Sequence, residues 1–105
     1  MITWITGESG SGKTTLAKKL IGKNTILLDG DSIRPAICED LEYGDIDRRK
    51  NNLRVARLAN LLNNQGFDVV VATICSGNPI KQEVYWICKC KFVHMEGKFN
   101  ALAED

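Results

Sequence analysis

The sequence has few of the residues that build disulfide-stapled, metal-bound or membrane-spanning proteins. Its 105 residues include one histidine, two prolines and four cysteines, and the formal net charge is +1. No apolar run approaches the length of about 20 residues that a membrane-spanning helix requires. A net charge near zero gives no general attraction to nucleic acid or to a membrane surface, so any anion site must be local. We therefore expect one domain over residues 1–105, with neither nucleic acid nor membrane as a partner.

The cysteines do not follow a metal-binding pattern. Cys88 and Cys90 are separated by one residue, Cys38 and Cys75 lie far from them in sequence, and His94 is the sole histidine. A tetrahedral zinc site therefore lacks ligands at the usual spacing, and we predict that Cys88 and Cys90 hold no metal. We interpret the cysteines as free thiols of a reducing compartment. The N-terminus has no basic region or cleavage site of a signal peptide, so we predict a cytoplasmic location.

The chain alternates short apolar runs with segments of helical periodicity. We predict strands over 2–6, 25–29, 67–73 and 83–93. We predict helices over 13–22, from Pro35 onward, and over 46–65 before Gly66. The tail 96–105 has no clear partner in this scheme. Because the predicted strands are continuously apolar, they should be buried on both faces, which indicates an α/β domain built on a parallel sheet.

A glycine-rich loop follows the first predicted strand. Residues 7–14, GESGSGKT, match G-x-x-x-x-G-K-[ST] at every fixed position. The glycines let backbone N–H groups converge on phosphate oxygens, and the following helix points its positive end at the same anion. In this P-loop motif Lys13 reaches the β- and γ-phosphates and the Thr14 hydroxyl ligates Mg²⁺. The predicted residues of the ATP site are Gly7, Glu8, Ser9, Gly10, Ser11, Gly12, Lys13, Thr14 and Thr15.

Two acids stand at the tip of the second predicted strand. Asp29 and Asp31 follow the apolar run 26–28 and should face the same sheet edge as the glycine-rich loop, where ligands of parallel sheets bind. One interpretation is that they face hydrated magnesium, with one acid also able to accept a proton from an acceptor hydroxyl. The alternative is an Asp-Gly-Asp turn in which Asp31 caps the next helix.

The long predicted helix places polar side chains among apolar ones. At about 100° per residue, Arg48 and Asn51 share the face of the helix that should pack on the sheet. A helix that runs back between parallel strands begins at the ligand edge, so both side chains should point toward it. Arg34 is similarly placed, and arginines suit a second anionic substrate. The alternative for Arg48 is an arginine that reaches water. Arg57 should be solvated, and the position of Arg54 is left undecided.

These segments, in this order, resemble the adenylylsulfate kinase (APS kinase) family. The resemblance is carried by WITGESGSGKTTLAKKL, LLDGDSIR, DRRKNNLRVARLANLLNNQGF and VVVATI, which span residues 1 to about 75. The P-loop motif alone is shared by many nucleotide-binding proteins. Its combination with L-D-G-D-x-I-R and D-R-x-x-N at these separations is far more specific. The resemblance implies a P-loop NTPase-type three-layer fold with a parallel sheet.

The family's activity implies roles for individual residues. It is the transfer of the γ-phosphoryl group of ATP to the 3′-hydroxyl of adenylyl sulfate, with Mg²⁺, in sulfate activation. By position, Lys13, Asp29 and Asp31 match catalytic residues, and Thr14 and Asp29 match metal ligands. Residues that match the adenylyl sulfate site are Asp31, Arg34, Tyr43, Arg48, Asn51 and Ile74. A homodimer is left open.

The sequence departs from the family pattern after Ile74. Cys75 and Ser76 stand where the family has Ser-Pro, so the serine that some members carry as a proposed phosphoserine site is absent in register. Downstream, residues 78–90 reach a predicted strand without the family's arginine-containing helix, and no lid or adenine-binding segment follows. We therefore expect the C-terminal part of the fold to be incomplete.

Three functions remain open at this point. The first is an adenylylsulfate kinase. The second is another small P-loop kinase that phosphorylates a sugar, a metabolite or a nucleotide. The third is a nucleotide-binding remnant that turns nothing over or works as an interaction module. The acid pair together with Arg48 and Asn51 favours the first over the second, and the short C-terminal region favours the third over both.

Overall fold

Strands and helices alternate along most of the chain. The computed structural model describes residues 1–8, 10–75, 77–96 and 101–104, with Glu96 and 101–104 described by their backbone alone. The strands are β1 (Ile2–Thr6), β2 (Thr25–Asp29), β3 (Asp68–Ala72), β4 (Lys91–Glu96) and β5 (Ala101–Glu104). The helices are α1 (Lys13–Leu20), α2 (Gly30–Ile37), α3 (Asp45–Asn64) and α4 (Asn78–Cys88). The predicted bounds of the first two strands are confirmed, and α3 begins and ends one residue earlier than predicted.

The strands form one sheet in the order β2-β3-β1-β4-β5. β1 lies in the middle, where Trp4 pairs with Val71 of β3 on one side and with Phe92 of β4 on the other. The pairs among β1 to β4 are parallel, as predicted. β5 pairs with β4 in the antiparallel direction, so the tail does have a partner, contrary to our expectation.

Each face of the sheet carries its own hydrophobic core. On one face α1 packs through Ala17 against Ile5 of β1 and Val70 of β3. On the other face α3 and α4 cover the sheet, with Val55 and Val84 fully buried in that core. This arrangement of helix, parallel sheet and helix is the three-layer α/β fold that the alternating pattern predicts.

The parallel strands bring distant parts of the chain to one edge of the sheet. β1, β2 and β3 run in the same direction, so their last residues, Thr6, Asp29 and Ala72, lie at the same edge. The glycine-rich loop, α2 and the segment after β3 all leave from this edge. This carboxyl edge of the sheet is therefore where a ligand site should form.

Among the described residues, no helix combines the length and the apolar character needed to cross a membrane.

The predicted start of the second helix is wrong. The helix does not begin at Pro35 but directly after β2, at Gly30, and Pro35 lies inside it. A proline in a helix interior removes the N–H that would bond to the carbonyl four residues earlier, here that of Asp31. In a helix of eight residues this removes one bond of the first turn, and burial of Ile33 in the core holds the segment in place.

The predicted strand over 83–93 is also wrong. Most of that segment belongs to α4, and β4 begins only at Lys91. Pro79 lies in the first turn of α4, and the residues that α4 buries, Val84 and Cys88, are four positions apart, as on one face of a helix. Lys89 then adopts the left-handed conformation that ends the helix. The chain therefore does have a helix at this point, but the helix contains no arginine.

Candidate active site

A cleft of about 950 Å³ opens at the carboxyl edge of the sheet. Four parts of the chain meet there: the glycine-rich loop, the tip of β2 with α2, the start of α3, and the segment after β3. The predicted site residues that line the cleft are Gly10, Ser11, Gly12, Lys13, Thr14, Thr15, Asp29, Asp31, Arg34, Tyr43, Arg48, Asn51 and Ile74. Gly7 and Glu8 stand at the entrance to the loop, and Ser9 lies outside the described residues.

The first glycine of the loop has a steric reason to be glycine. Gly7 has φ +148°, and a Cβ there would lie 2.6 Å from Ser11 Oγ and 3.0 Å from the Met95 carbonyl oxygen. Gly12, with φ +93°, is the N-cap of α1. Side chains at either position would force the loop open, because few L residues adopt these angles without strain. The loop therefore stays tight enough for its N–H groups to converge.

Lys13 is held over the loop before any ligand arrives. Its Nζ donates a hydrogen bond to the Glu8 carbonyl oxygen at 2.8 Å. Burial lowers the pKa of Lys13, and the negative charges of Asp29, Asp31 and Glu8 oppose this shift without cancelling it. A partly desolvated ammonium group gains strongly from a new anionic partner. Lys13 is thus placed and poised to bind phosphate.

The two acids lie near the lysine in the same cleft, at the tip of β2 and the start of α2. Thr14 Oγ1 donates a hydrogen bond to Asp29 Oδ1 at 3.2 Å, which joins α1 to the end of β2. The capping alternative is not supported: the N-cap of α2 is Asp29, whose side chain makes no capping bond, and Asp31 lies within the first turn. Asp31 is exposed in the cleft.

Arg48 and Asn51 both face the cleft from the first turns of α3, as predicted. Asn51 is only 6% exposed. Its Oδ1 atom has no hydrogen-bond partner in the part of the chain that the structure describes, and the same is true of the buried Ser11 Oγ. Buried polar atoms are rarely left unpaired, because each costs about 1–3 kcal/mol. Both atoms therefore await a partner, and the cleft is where a ligand would supply one.

Arg34 is engaged with the segment that follows α2. Its Nη1 donates to the carbonyl oxygens of Glu42 at 2.7 Å and Leu41 at 3.4 Å. Its guanidinium carbon also lies 4.2 Å from the centre of the Tyr43 ring, a cation–π arrangement. The Tyr43 side chain is 71% exposed at the cleft. Arg34 thus holds Tyr43 in place as a planar, accessible surface.

Two further arginines lie outside the cleft, and the cleft also includes residues that were not predicted. Arg57 is exposed, as predicted, whereas Arg54 pairs with Asp40 outside the cleft at 2.7 Å. Sequence analysis missed seven residues that line the cleft, namely Leu16, Lys19, Gly30, Pro35, Ala72, Thr73 and Met95. Thr73 follows β3 directly, so its place at the carboxyl edge was a signal that could have found it. Met95 is brought there by β4, whose position the wrong strand prediction obscured.

None of the cysteines lines this cleft. All four are buried and none is in a disulfide bond, and Cys88 and Cys90 lie where α4 passes into β4. Among the described residues there is no cluster of three or more His, Cys, Asp or Glu side chains that could hold a metal by itself.

The fold and the cleft define a class of protein. A glycine-rich loop joins the central strand β1 to a helix, and its lysine lines the cleft. Two acids stand at the end of β2 and the start of α2, with β3 between β2 and β1. These are the features of a P-loop nucleotide-binding domain.

Sequence comparison then identifies the family. The adenylylsulphate kinase family matches residues 1–99. The adenylyl-sulfate kinases of Escherichia coli K12 and Shigella boydii are each 41% identical to this chain over 90 residues. That match covers 80% of this chain and 45% of each relative, so the chain spans about half the length of the curated relatives it matches. The chain belongs to the adenylylsulphate kinase family.

Solved structures agree with this assignment. The APS kinase CysC of Mycobacterium tuberculosis in complex with AMPPNP and APS is 31% identical, with a TM-score of 0.75 over 89% of this chain and 59% of that one. A hexameric APS kinase from Thiobacillus denitrificans has a TM-score of 0.78 over 90% of this chain and 21% of that one. At 24% identity the second structure supports the fold alone.

Proposed function

We propose that this chain transfers the γ-phosphoryl group of ATP to the 3′-hydroxyl of adenylyl sulfate, giving ADP and 3′-phosphoadenylyl sulfate. The observation that carries the proposal is the meeting, in one cleft, of the phosphate-binding loop with an acid pair and with Arg48 and Asn51. A phosphate loop alone would suit any nucleotide-binding protein. The acid pair and the inward polar face of α3 provide a second, acceptor-binding half.

The phosphate half uses the loop and the start of α1. The backbone N–H groups of Gly10 and of 12–14, with the positive end of α1, bind the β- and γ-phosphates, whereas the Ser11 N–H donates to the Glu8 carbonyl at 3.1 Å. Lys13 exchanges its bond to the Glu8 carbonyl for a stronger, charge-assisted bond to phosphate oxygen. The unpartnered hydroxyl of Ser11 is placed to donate to the same ligand.

Thr14 and Asp29 would hold Mg²⁺. The Thr14 hydroxyl and the Asp29 carboxylate are hard oxygen ligands, and they already lie 3.2 Å apart beside the loop. Mg²⁺ prefers such ligands in small number, with phosphate oxygens and water in the remaining positions. The residues present therefore fit the ion. When bound, it would neutralise charge that develops on the transferring phosphoryl group.

The acceptor half places the hydroxyl and removes its proton. Asp31, exposed in the cleft at the start of α2, accepts the proton of the 3′-hydroxyl as that oxygen attacks the γ-phosphorus. The bond from the γ-phosphorus to the β–γ bridging oxygen breaks, and ADP leaves with its electron pair. The 3′-oxygen keeps the phosphoryl group, and Asp31 later releases the proton to water.

The remaining residues of the acceptor half recognise adenylyl sulfate. Arg48 supplies positive charge for its anionic groups, and the free Oδ1 of Asn51 accepts a hydrogen bond from one of its N–H or O–H groups. The exposed ring of Tyr43, backed by Arg34, offers a stacking surface for the adenine base. Ile74, partly exposed at the cleft, contributes an apolar contact.

The deciding experiment is a coupled assay of ADP release by the purified 105-residue chain. We expect release from Mg-ATP that depends on adenylyl sulfate and is absent from the Lys13→Ala variant. ADP release that occurs only with another hydroxyl acceptor would instead indicate a different small-molecule kinase. Binding of Mg-ATP without ADP release under any condition would indicate a nucleotide-binding protein without turnover.

We propose a cytoplasmic location, because the four buried cysteines form no disulfide, the state that a reducing compartment maintains. A homodimer stays a prediction, and the proposed chemistry uses residues of one chain only.

A further inference from the structure

A chain of hydrogen bonds runs behind the wall of the cleft. Trp4 Nε1 donates to Thr73 Oγ1 at 2.9 Å, and Thr73 Oγ1 donates to Asn52 Oδ1 at 2.9 Å. The amide nitrogen of Asn52 donates to the Ile74 carbonyl at 3.2 Å and to the Arg48 carbonyl at 3.1 Å. Both N–H groups and the carbonyl oxygen of the Asn52 side chain are thereby used. These hydrogen bonds link β1, the end of β3 and the second turn of α3.

The chemistry of the groups fixes the direction of every bond in this chain. An indole N–H can only donate. The hydroxyl of Thr73 must therefore accept the hydrogen bond from Trp4 and donate its own hydrogen to Asn52. Backbone carbonyls can only accept, so the NH₂ group of Asn52 must face Ile74 and Arg48. The side-chain amide has a single orientation that satisfies all partners. Asn52 is therefore held rigidly, with no alternative arrangement of similar energy.

Packing alone does not call for asparagine at this position. Asn52 is 1% exposed and lies on the side of α3 that also buries Val55 and Ala56. A leucine has the same number and branching of side-chain heavy atoms and would avoid the cost of burying an amide. The benefit of asparagine lies in what it binds: the backbone of Ile74 and the backbone of Arg48, whose side chains both line the cleft.

We propose that Asn52 is a positioning residue for the acceptor half of the cleft. By binding both carbonyl oxygens, it fixes the spacing between the segment after β3 and the first turns of α3. Thr73 locks the amide in the required orientation. Asn52 does not line the cleft, so it acts through Ile74 and Arg48 rather than on the substrate itself. The link to adenylyl sulfate rests on the proposed function, whereas the link to the backbone does not.

The same helix offers a matched control. The amide nitrogen of Asn63 donates to the Phe67 carbonyl at 2.8 Å, at the end of α3 that is remote from the cleft. Each asparagine has a nearby backbone N–H as a reporter. The Thr73 N–H bonds to the Ile5 carbonyl at 3.2 Å, and the Phe67 N–H bonds to the Leu62 carbonyl at 3.2 Å. Loss of either side-chain bond should loosen only its own reporter.

The first measurement is amide hydrogen exchange in the ligand-free chain, followed by NMR. In Asn52→Leu we expect the Thr73 amide to exchange about tenfold faster while the Phe67 amide is unchanged. Asn63→Leu should give the reverse pattern. Thr73→Val, which removes the hydroxyl at constant shape, should loosen the Ile74 segment as Asn52→Leu does, and Thr73→Ser should restore the wild-type behaviour. The Thr73 variants keep the test available if Asn52→Leu does not fold.

The second measurement is calorimetry with Mg-ATP and with adenylyl sulfate. We expect Asn52→Leu and Thr73→Val to weaken adenylyl sulfate binding about tenfold and to leave Mg-ATP binding unchanged. Asn63→Leu, whose position lies outside the cleft, should bind both ligands like wild type. Unchanged Thr73 exchange in Asn52→Leu would overturn the proposal, as would equal weakening of both ligands. If the wild type bound no adenylyl sulfate, the proposed function would fail, and the exchange comparison would still decide the positioning role.

Discussion

The Thr14 hydroxyl donates a hydrogen bond to the Asp29 carboxylate at 3.2 Å, across the gap between the start of α1 and the end of β2. The two residues are fifteen positions apart, and each belongs to a different motif of the sequence. Their contact joins the phosphate loop to the acid pair before any ligand binds. This contact fixes the phosphate loop and the acid pair relative to each other. Because the two sides are proposed to bind different substrates, substitutions on either side should still have separable effects.

Among the side chains, Lys13 should contribute the most to nucleotide affinity. Lys13→Ala removes the charge-assisted bond to phosphate, so we expect Mg-ATP affinity to fall about 10- to 100-fold in calorimetry. Lys18→Ala is the control, because Lys18 is an exposed lysine of the same helix that does not line the cleft. Equal Mg-ATP affinity in wild type and Lys13→Ala would contradict the assignment of the phosphate loop.

The same lysine predicts a pH dependence of nucleotide binding. Burial lowers the pKa of Lys13, so in the free protein it loses its proton at a lower pH than an ordinary lysine. Phosphate binds the protonated form, and Mg-ATP affinity should therefore fall as the pH rises through this lowered pKa. Titration of Lys13→Ala over the same range should show a weaker, flatter profile. A parallel loss in both proteins would assign the effect to another group.

Asp31 should matter for transfer and little for nucleotide binding. Asp31→Asn keeps the volume of the side chain but cannot accept the proton of the acceptor hydroxyl. General-base catalysis contributes about 100- to 10,000-fold, so we expect a loss of that size in the rate of ADP release, with Mg-ATP binding nearly unchanged. An active wild type whose transfer rate survives Asp31→Asn would show that this acid is structural.

Arg48 should separate acceptor binding from nucleotide binding. Arg48→Ala removes positive charge at the start of α3, so we expect adenylyl sulfate affinity to fall about tenfold while Mg-ATP affinity persists. The neighbouring Arg49 serves as a control, because its side chain pairs with Glu83 at 2.7 Å outside the cleft. Calorimetry of Arg49→Ala should give wild-type affinity for both ligands. A loss in Arg49→Ala equal to that in Arg48→Ala would point to a general charge effect.

An ion pair behind the cleft predicts how stability depends on pH. Arg54 donates two hydrogen bonds to Asp40, and these bonds hold the pKa of the Asp40 carboxyl below its usual range. A lowered pKa in the folded state means that the contribution is present above the unfolded-state pKa of about 4 and is lost as the pH falls through the folded-state pKa. Asp40→Asn should therefore make the stability of the fold depend less steeply on pH in the acid range.

The control for that effect is Glu39→Gln, which removes the same charge one position away. Thermal unfolding is followed between neutral pH and about pH 2. The unfolding temperature should depend less steeply on pH in Asp40→Asn alone. The expected change is small, because both members of the pair are in contact with solvent. An equal change in the two variants would assign the effect to net charge.

Short-range rules were enough to predict the phosphate half of the site from the sequence. The requirement for glycine at Gly7 and Gly12 comes from backbone angles, and the positions of Lys13 and Thr14 follow from the turn that those angles produce. The bounds of β1 and β2 and most of α3 followed from apolar pattern and from the glycine after the helix. Each of these signals acts over a few residues, so the sequence alone carries them.

Tertiary contacts decided the rest. Residues 83–88 have the composition of a strand, yet the packed segment is a helix beside α3 that buries Val84 and Cys88. In a strand Trp86 would share their face, whereas in the helix it points away and is 71% exposed. The Arg54–Asp40 pair and the bonds of Asn52 to Thr73 and Ile74 join residues 14 to 22 positions apart. Such pairs are set by how the helices dock on the sheet, which periodicity along one segment does not encode.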